Sequence, residues 1–238
     1  MLVVRNVAKR QGCFVIDKIK MIRVRDLCRY SKMVKIISVN GNIACGKSTL
    51  LRSLKEKGYF VVMEGFDRGE WGEGLSLFYE DPVRYGFLFQ TIVLTEMKET
   101  YKLLRESGKF GKDDIVFVER SHLDSLAFTR LSRENGFLSL LEHDTFRRLY
   151  DVLVEFPDVN IYLDLSPEVC FERCKSRARE CESKITLDYL KGVRKHTIQT
   201  MHEMSSDAAV KMIKLDVFGK STDEILQTVL KSVKTCNK

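Results

Sequence analysis

Residues 39–49, VNGNIACGKST, decide the fold, because they place two glycines, a lysine and two hydroxyls directly after the apolar run KIIS. They contain the spacing Gly-x-x-x-x-Gly-Lys-Ser, and a helical pattern follows. In such a turn successive backbone N–H groups point at phosphate oxygens, and the helix that follows adds its positive end. Lys47 is placed to reach terminal phosphates and Ser48 to ligate Mg²⁺. The stretch therefore predicts a strand, a P-loop that binds a nucleoside triphosphate, and a helix.

The rest of the chain alternates short apolar runs with stretches of helical period. Strands separated by helices pair in parallel, so this order predicts an α/β protein with the P-loop kinase fold: a five-stranded parallel sheet flanked by helices. The predicted strands lie at 35–39, 59–63, 115–118, 160–165 and 211–215. The predicted helices lie near 47–57, 83–107, 121–131, 139–155, 167–180, 186–204 and 221–234.

The charge of the chain is concentrated at its beginning. Residues 1–33 carry nine basic and two acidic side chains, which is the whole net charge of +7. The remaining residues carry 31 basic and 31 acidic side chains and are neutral. A protein that binds nucleic acid needs basic residues spread over its body, and a membrane helix needs an apolar run of about 18 residues. We therefore expect neither nucleic acid nor a membrane as a partner.

The charge divides the chain into a basic N-terminal extension, 1–33, and a kinase domain, 34–238. Three interpretations of the extension stay open: a mitochondrial targeting segment, a poorly ordered arm, or a stretch preceding a working start at Met33. The seven cysteines form no C-x-x-C pair, so reduced thiols are expected rather than a zinc site. We expect a cytoplasmic protein (host cytoplasm if viral), or a mitochondrial one if the extension targets it.

Charged residues end two predicted strands at the edge where open α/β sheets bind ligands. The run YFVVM ends in Glu64, and a glycine-rich loop carrying Trp71 follows. The run IVFV ends in Glu119 and Arg120. These residues are candidates for the acceptor side of a phosphoryl transfer.

Two further segments suggest what the acceptor is. LFYEDPVRYGFLFQT, residues 77–91, places aromatic side chains and the Gln90 amide on a helix. Aromatic faces stack on a nucleobase, and an amide forms paired hydrogen bonds to its edge. RCKSRARECE, residues 173–182, places three arginines after the fourth strand, where they predict a lid that neutralises the transferring phosphoryl group.

Together these motifs resemble those of the deoxynucleoside kinase family, the group with deoxycytidine, deoxyguanosine, mitochondrial thymidine and insect multisubstrate kinases. GNIACGKST, FYEDPVRYGFLFQT, FVERS and RCKSRARECE…LDYL occur in the family's order and spacing, and LDVFG resembles its adenine-contacting loop. The resemblance runs from about residue 34 to the C-terminus. It implies transfer of phosphate from ATP, or another nucleoside triphosphate, to the 5′-hydroxyl of a deoxyribonucleoside. It also implies a homodimer packed through the helices that follow Pro82 and Leu138.

The resemblance also implies a division of labour in the site. Glu64 would accept the proton of the 5′-hydroxyl, and Arg120 would bind near that hydroxyl and the transferred phosphate. Glu119 would help Ser48 to hold Mg²⁺, although some accounts of the family name it as the base. The implied catalytic residues are Glu64, Glu119, Arg120, Arg177 and Arg179.

Two binding sites follow from the same resemblance. The implied ATP-binding residues are Gly41, Asn42, Ile43, Ala44, Cys45, Gly46, Lys47, Ser48, Thr49, Arg173, Arg177, Asp216 and Phe218. The implied substrate-binding residues are Glu64, Trp71, Tyr79, Phe89, Gln90, Val93, Met97, Arg120, Asp124, Phe128 and Glu182. Tyr79 and Glu182 would grip the sugar 3′-hydroxyl, and Phe89 and Phe128 would stack on the base.

The base preference rests on four positions. Val93 and Met97 resemble the thymidine-accepting and insect-type members. Asp124 resembles the acidic residue of purine-tolerant members, but Met97 stands where those members have the arginine that pairs with it. The segment after Arg120 is one residue shorter than in the family, so counting from the other side puts Ser125 against the base. These positions favour pyrimidine deoxynucleosides.

Two alternative functions stay open. A thymidylate-type nucleoside monophosphate kinase shares the fold and the P-loop, but it needs additional basic groups for the acceptor phosphate. A non-catalytic scaffold subunit would be expected to lose Lys47, Glu64 or the lid arginines, and all of these are present.

Overall fold

The computed structural model describes residues 34–65, 69–179, 182–205 and 210–235, in which strands and helices alternate. The predicted extension at 1–33 lies outside the described residues. The strands are β1 (Lys35–Gly41), β2 (Phe60–Val62), β3 (Ile115–Glu119), β4 (Val159–Asp164) and β5 (Lys211–Asp216). The helices are α1 (Lys47–Glu56), α2 (Gly69–Glu80), α3 (Pro82–Glu106), α4 (His122–Glu134), α5 (Leu140–Leu153), α6 (Pro167–Arg177), α7 (Leu187–Ser205) and α8 (Thr222–Thr235).

The five strands form one parallel sheet in the order β2-β3-β1-β4-β5. This confirms the predicted α/β fold with a five-stranded parallel sheet. Chain order reverses beside β1, and open α/β sheets bind ligands at such a point, beyond the carboxyl ends of the strands. The P-loop, Glu119 and Asp164 all lie at that edge of the sheet.

The central strand β1 carries two buried polar side chains that fix the loop after β3. Ser38 and Asn40 are fully buried, and their hydrogen bonds converge on Asn160 of β4 at 2.8 and 3.4 Å. The Ser121 hydroxyl, 2.8 Å from Asn40 Oδ1 and 2.9 Å from Asn160 Oδ1, joins the same network. Hydrogen bonds between buried side chains favour one arrangement of the backbone, although the Asn160 Nδ2 group has no partner within the described residues. The network therefore sets the position of the residue that precedes Ser121, which is Arg120.

The loop predicted to carry Trp71 is in fact helix α2. Its glycines lower helix propensity, but tertiary packing outweighs that preference. A Cβ atom built on Gly74 would lie 3.0 Å from Ile92 Cδ1 and 3.3 Å from Phe89 Cδ2, so Gly74 lets α2 approach α3 closely. This approach buries Trp71 in an apolar cluster with Phe89, Val93 and Met97 of α3.

The predicted helix near 83–107 is α3, and the residues of the stretch 77–91 that precede Asp81 belong to α2. Helix α2 ends at Glu80 and α3 begins at Pro82. The Asp81 side chain caps α3 by accepting a hydrogen bond from the Arg84 N–H at 3.1 Å. The break lets Tyr79 and Phe89 approach the same space from two directions.

Gly41 is required where β1 turns into the P-loop. Its φ is +143°, and a Cβ atom there would lie 2.7 Å from Cys45 Sγ and 2.8 Å from the Leu163 carbonyl oxygen. Gly58 also has a positive φ, but a Cβ atom there meets nothing within 4 Å. Substitutions at Gly41 and Gly58 can therefore be compared to separate the cost of backbone strain from the cost of steric overlap.

We expect Gly41→Ala to destabilise the fold clearly more than Gly58→Ala. Gly58→Ala adds only the strain of a left-handed alanine, about 1–2 kcal/mol, whereas Gly41→Ala adds a clash with backbone. Urea unfolding of both variants beside the wild type measures the difference. Equal losses of unfolding free energy would contradict the close approach at Gly41.

Candidate active site

A cavity of about 510 Å³ opens at the carboxyl edge of the sheet, between the P-loop, α2, α3 and the start of α4. It brings together most of the residues that the sequence singled out. They are Ile43, Ala44, Cys45, Gly46, Lys47, Ser48, Thr49, Glu64, Trp71, Tyr79, Phe89, Gln90, Val93, Met97, Glu119, Arg120, Asp124, Phe128, Arg173, Arg177, Arg179 and Glu182.

Four predicted residues do not line this cavity. Gly41 and Asn42 lie within the loop itself, where the Asn42 amide donates to the Leu190 carbonyl oxygen at 2.9 Å and braces the loop against α7. Asp216 Oδ1 accepts a hydrogen bond from the N–H of Phe218 at 3.0 Å, and the Phe218 ring is exposed to solvent. In that segment Val217 lines the cavity instead.

The P-loop has the geometry that its glycines predict. Ala44 and Gly46 have φ values of 61° and 108°, and α1 begins directly afterwards at Lys47. The Lys47 ammonium is almost fully buried and donates to the carbonyl oxygens of Gly41 at 3.1 Å and Asn42 at 2.8 Å. A buried cation beside a helix N-terminus makes this end of the cavity strongly attractive to phosphate.

Arg120 is the centre of a buried cluster of charges. Its Nε donates to both oxygens of Glu64, at 2.9 and 3.0 Å, and its Nη1 donates to Asp124 Oδ2 at 3.0 Å. Its backbone has a φ of 65°, which is unusual for a residue with a side chain. Strained backbone of this kind persists only where the surrounding structure enforces it, and it occurs often in active sites.

Burial and charge shift the ionisation of this cluster. Burial raises the pKa of Glu64, with Arg120 opposing the shift and Glu119 adding to it. Burial likewise raises the pKa of Asp124, against the opposing effect of Arg120. Burial alone would lower the pKa of Arg120, but the carboxylates of Glu64 and Asp124 raise it above its ordinary value. A carboxyl group with a raised pKa is a better proton acceptor, which suits Glu64 to general-base chemistry.

Glu119 joins the acceptor end of the cavity to the P-loop. Its Oε1 accepts a hydrogen bond from the Ser48 hydroxyl at 2.7 Å, and its Oε2 accepts one from the backbone N–H of Glu64 at 3.3 Å. Within the described ranges, no group of three acidic, cysteine or histidine side chains could hold a metal alone. Mg²⁺ commonly uses one or two protein ligands together with phosphates and water. The Ser48–Glu119 pair fits a magnesium ion shared with a triphosphate.

The lid arginines are tied to a carboxylate that faces the same cavity. Arg177 binds both oxygens of Glu182, with its Nε at 3.0 Å from Oε2, and Arg179 Nη1 lies 3.6 Å from Oε1. Arg173 reaches the other side of the cavity, near Gly46 of the P-loop. The three arginines that the sequence predicts as a lid therefore line the same cavity as the P-loop.

The inner end of the cavity is apolar apart from one amide. Phe89 stacks on Phe78 with ring centroids 5.4 Å apart, and Val93 and Met97 continue the wall along α3. The side chain of Gln90 is 3% exposed and forms no hydrogen bond with the part of the chain that the structure describes. Buried amides are normally satisfied, so a ligand in the cavity is the natural partner.

The structure corrects the expectation that Asp124 has no arginine partner. Arg120, which lies four residues earlier and just before α4, provides it. Asp124 and Ser125 both line the cavity, and the Ser125 hydroxyl lies 3.5 Å from the Met97 sulfur. Arg120 lies outside the helix and has a φ of 65°, so the i, i+4 rule for helix surfaces does not predict this pair.

Several residues of the wall were missed from the sequence. They are Leu50, Arg52, Leu75, Phe78, Leu163, Tyr189, Val217, Lys220, Thr222 and Ile225. Phe78 could have been found, because it stands next to the predicted Tyr79 in the aromatic stretch 77–91. Tyr189 lies on α7 within the LDYL motif, but the motif by itself does not place its side chain in the cavity.

Comparisons with known proteins identify the family of the chain. The family model described as deoxynucleoside kinase matches residues 37–235. A putative deoxynucleoside kinase of frog virus 3 is 34% identical over 155 residues, covering 65% of this chain and 76% of that protein. The deoxyguanosine kinase of Dictyostelium discoideum is 31% identical over 182 residues, covering 72% of this chain and 60% of that one.

Solved structures show the same fold. The structure of deoxyadenosine kinase from M. mycoides with dCMP and dCDP bound matches with a TM-score of 0.72 and 19% identity, covering 84% of this chain and 98% of that one. A second structure of that enzyme, with dCTP bound, matches with a TM-score of 0.70. No helix of the described ranges is both long and apolar enough to cross a bilayer.

We expect Lys47→Met to weaken nucleoside triphosphate binding by roughly tenfold or more, because a charge-assisted hydrogen bond is worth about 1.5–3 kcal/mol. Calorimetric titration with a non-hydrolysable ATP analogue measures the affinity. Lys55→Met, at an exposed position in the last turn of the same helix, is the matched control and should bind as the wild type does. Equal affinity in the two variants would rule out Lys47 as a phosphate ligand.

Proposed function

Since the chain belongs to the deoxynucleoside kinase family, we propose that it phosphorylates the 5′-hydroxyl of a deoxyribonucleoside, with pyrimidine bases favoured and ATP or another nucleoside triphosphate as donor. The observation that carries the proposal is the contact of Glu64 with Arg120 inside a cavity that also contains the P-loop. One end of this cavity suits a triphosphate and the other suits a neutral, planar base. The product would be a deoxynucleoside 5′-monophosphate for nucleotide salvage.

Glu64 is the proposed general base. An alcohol is a weak nucleophile, and a positioned carboxylate assists by taking its proton as the new bond forms. The 5′-oxygen attacks the γ-phosphorus, the bond from phosphorus to the β,γ-bridging oxygen breaks, and the proton passes to Glu64. The raised pKa of Glu64 makes its carboxylate a stronger base for the proton of the 5′-hydroxyl.

Arg120 is proposed to orient Glu64 and to contact the transferred group. Its Nε holds both carboxylate oxygens, so the plane of the carboxylate is fixed relative to the cavity. A guanidinium in a buried site stabilises charge that develops on phosphoryl oxygens without having to reorganise. Alignment and such contacts supply most of the acceleration in phosphoryl transfer.

The donor end combines the P-loop with the lid. Backbone N–H groups of the loop and the Lys47 ammonium would bind the phosphates, and Arg173, Arg177 and Arg179 would approach from the lid side. Asp216 and Phe218 stay a prediction as residues of an adenine-contacting loop, which Val217 borders in the cavity.

Magnesium is the proposed metal, held by Ser48 and Glu119. When bound, it neutralises charge on the triphosphate and helps to align it. At the acceptor end, three carboxylates interact with the guanidinium of Arg120: those of Glu64, Asp124 and Glu119. This excess of carboxylates favours a divalent cation at the site.

The base preference is proposed from the walls of the inner cavity. Val93 and Met97 leave an apolar surface beside Gln90, and the carboxylate of Asp124 is engaged by Arg120. One amide and two flanking aromatic rings suit the single ring of thymine or cytosine. A purine would have to be bound by the same amide, with no charged side chain contacting its edge.

A homodimer is proposed through α3 and α5, as the resemblance implies. These helices pack on each other and leave large apolar side chains outside: Leu141 and Val152 are 73% and 72% exposed, and Leu88 is 47% exposed. Leu141 and Val152 lie eleven residues apart, which returns them to one side of α5 after three turns. Exposed apolar surface of this kind marks an interaction site.

The compartment is proposed to be the cytoplasm, or the host cytoplasm for a viral chain. Cys45, Cys170 and Cys174 are buried free thiols, which suit a reducing environment. A mitochondrial location would follow if residues 1–33 act as a targeting segment.

The test is a substrate panel with Mg-ATP and thymidine, deoxycytidine, deoxyadenosine, deoxyguanosine and thymidine monophosphate. We expect product from the pyrimidine deoxynucleosides above all, and a loss of kcat of about 10²-fold or more in Glu64→Gln. Glu73→Gln, an exposed carboxylate on α2, is the control and should keep full activity. Product from the monophosphate alone would indicate a nucleotide kinase, and ATP binding without product from any acceptor would indicate a scaffold.

We expect Leu141→Asp to convert the proposed dimer into a monomer, because a buried unpaired carboxylate is costly at an interface. Light scattering after size exclusion measures the mass. Gln227→Asp, which adds the same charge at an exposed position on α8, outside both helices, should leave the dimer intact. A wild type that is monomeric at micromolar concentration would refute the dimer outright.

A further inference from the structure

Asp124 has a carboxylate that is buried, faces the substrate cavity and is already engaged. Its side chain is 2% exposed, and its Oδ2 accepts from Arg120 Nη1 at 3.0 Å. An acidic residue at this place in the chain could read the base directly or act on another residue of the site. The contacts around Arg120 decide between these roles.

The guanidinium of Arg120 is fixed at both ends by carboxylates. Its Nε side is taken by Glu64, and its Nη1 is shared between Asp124 and the Gly41 carbonyl oxygen at 3.3 Å. Its Cζ also lies 5.1 Å from the centre of the Phe128 ring. Within the described part of the chain, Asp124 is the charged partner of Nη1, so it sets the rotation of the guanidinium about its long axis.

The backbone of Arg120 does not supply this orientation. Its N–H is fixed by the Val39 carbonyl oxygen at 2.9 Å, and its φ of 65° directs the side chain back into the cavity. Beyond that point a long side chain has several free torsions. Two carboxylates on opposite ends of a planar guanidinium remove that freedom, because its N–H groups form a rigid fork.

We propose that Asp124 is a positioning residue: it holds the Arg120 guanidinium against Glu64 and does not read the base. The inference rests on the proposed kinase function. A carboxylate that turned toward a base edge would leave Arg120 Nη1 without its charged partner in a buried site. The charge of Asp124 is therefore used by the reaction centre and contributes equally for every nucleoside.

A consequence concerns base recognition. With Asp124 engaged, the polar groups left at the inner end are neutral: the Gln90 amide and the Ser125 hydroxyl, which already lies against the Met97 sulfur. Discrimination between bases falls to these groups and to the apolar wall. Changes at Asp124 and at Ser125 should then produce different kinetic signatures.

The experiment measures kcat and KM for each accepted deoxynucleoside at saturating Mg-ATP in Asp124→Asn and Asp124→Ala. We expect kcat to fall by a common factor, approaching 10²-fold in Asp124→Ala, because a displacement of about 1 Å in an aligned site can cost that much. The ratio of kcat/KM between thymidine and deoxycytidine should keep its wild-type value. Ser125→Ala should instead change that ratio while largely retaining kcat.

The matched control is Glu203→Gln, which breaks the ion pair of Arg130, another arginine of α4 that lies outside the cavity. It should leave kcat unchanged. Thermal unfolding of every variant shows whether the fold is intact, and Asp124→Ser, whose hydroxyl still accepts from a guanidinium, replaces any Asp124 variant that does not fold.

A double-mutant cycle with Arg120→Lys tests whether Asp124 acts through Arg120. Lysine lacks the forked geometry, so Asp124→Asn should cost far less in that background than in the wild type. Equal costs in the two backgrounds would overturn the proposal. So would a selective loss of one base in Asp124→Asn with kcat retained. An inactive wild type would instead refute the kinase function, which is a separate outcome.

Discussion

The ion pair between Arg120 and Glu64 is the interaction on which the arrangement of the site depends. It joins the loop after β3 to the loop after β2, two neighbouring strands whose carboxyl ends meet at one edge. Arg120 reaches Glu64 only because its backbone adopts a left-handed conformation directly after the strand. That conformation is held from below by Ser121, whose hydroxyl enters the buried network of Asn40 and Asn160. The buried polar network of the sheet therefore helps to set the geometry of the cavity.

The balance of charge explains why the two ends of the cavity belong to one reaction. Three carboxylates, those of Glu64, Asp124 and Glu119, interact with Arg120, so acidic side chains exceed basic ones around Arg120 at the acceptor end. The lid arginines and the helix N-terminus at Lys47 supply the opposite sign at the donor end. A triphosphate with a divalent cation lies between these regions in the proposed reaction and complements both.

The sequence predicted those parts of the structure that depend on local pattern. The P-loop and the five strands rely on short-range signals, glycine spacing and apolar runs, and the strand bounds differ from the observed ones by one or two residues. Helix α2 was missed because its glycines argue against a helix, and only the contact of Gly74 with Phe89 and Ile92 of α3 explains it. Such a contact is tertiary and leaves no local signal. Tyr189 was missed for the same reason, since its approach to the cavity depends on how α7 packs.

Asp124 and Glu182 show a different limit of sequence reasoning. Both were assigned to the substrate from a resemblance of position, and both line the cavity. The structure adds that each also binds arginines: Asp124 binds Arg120, and Glu182 binds Arg177. Which side chain a carboxylate binds depends on distances in the folded chain. A sequence motif does not contain those distances. Because Glu182 ties the lid arginines at the wall that Tyr79 also lines, the same carboxylate connects the proposed sugar end of the cavity with its phosphate end.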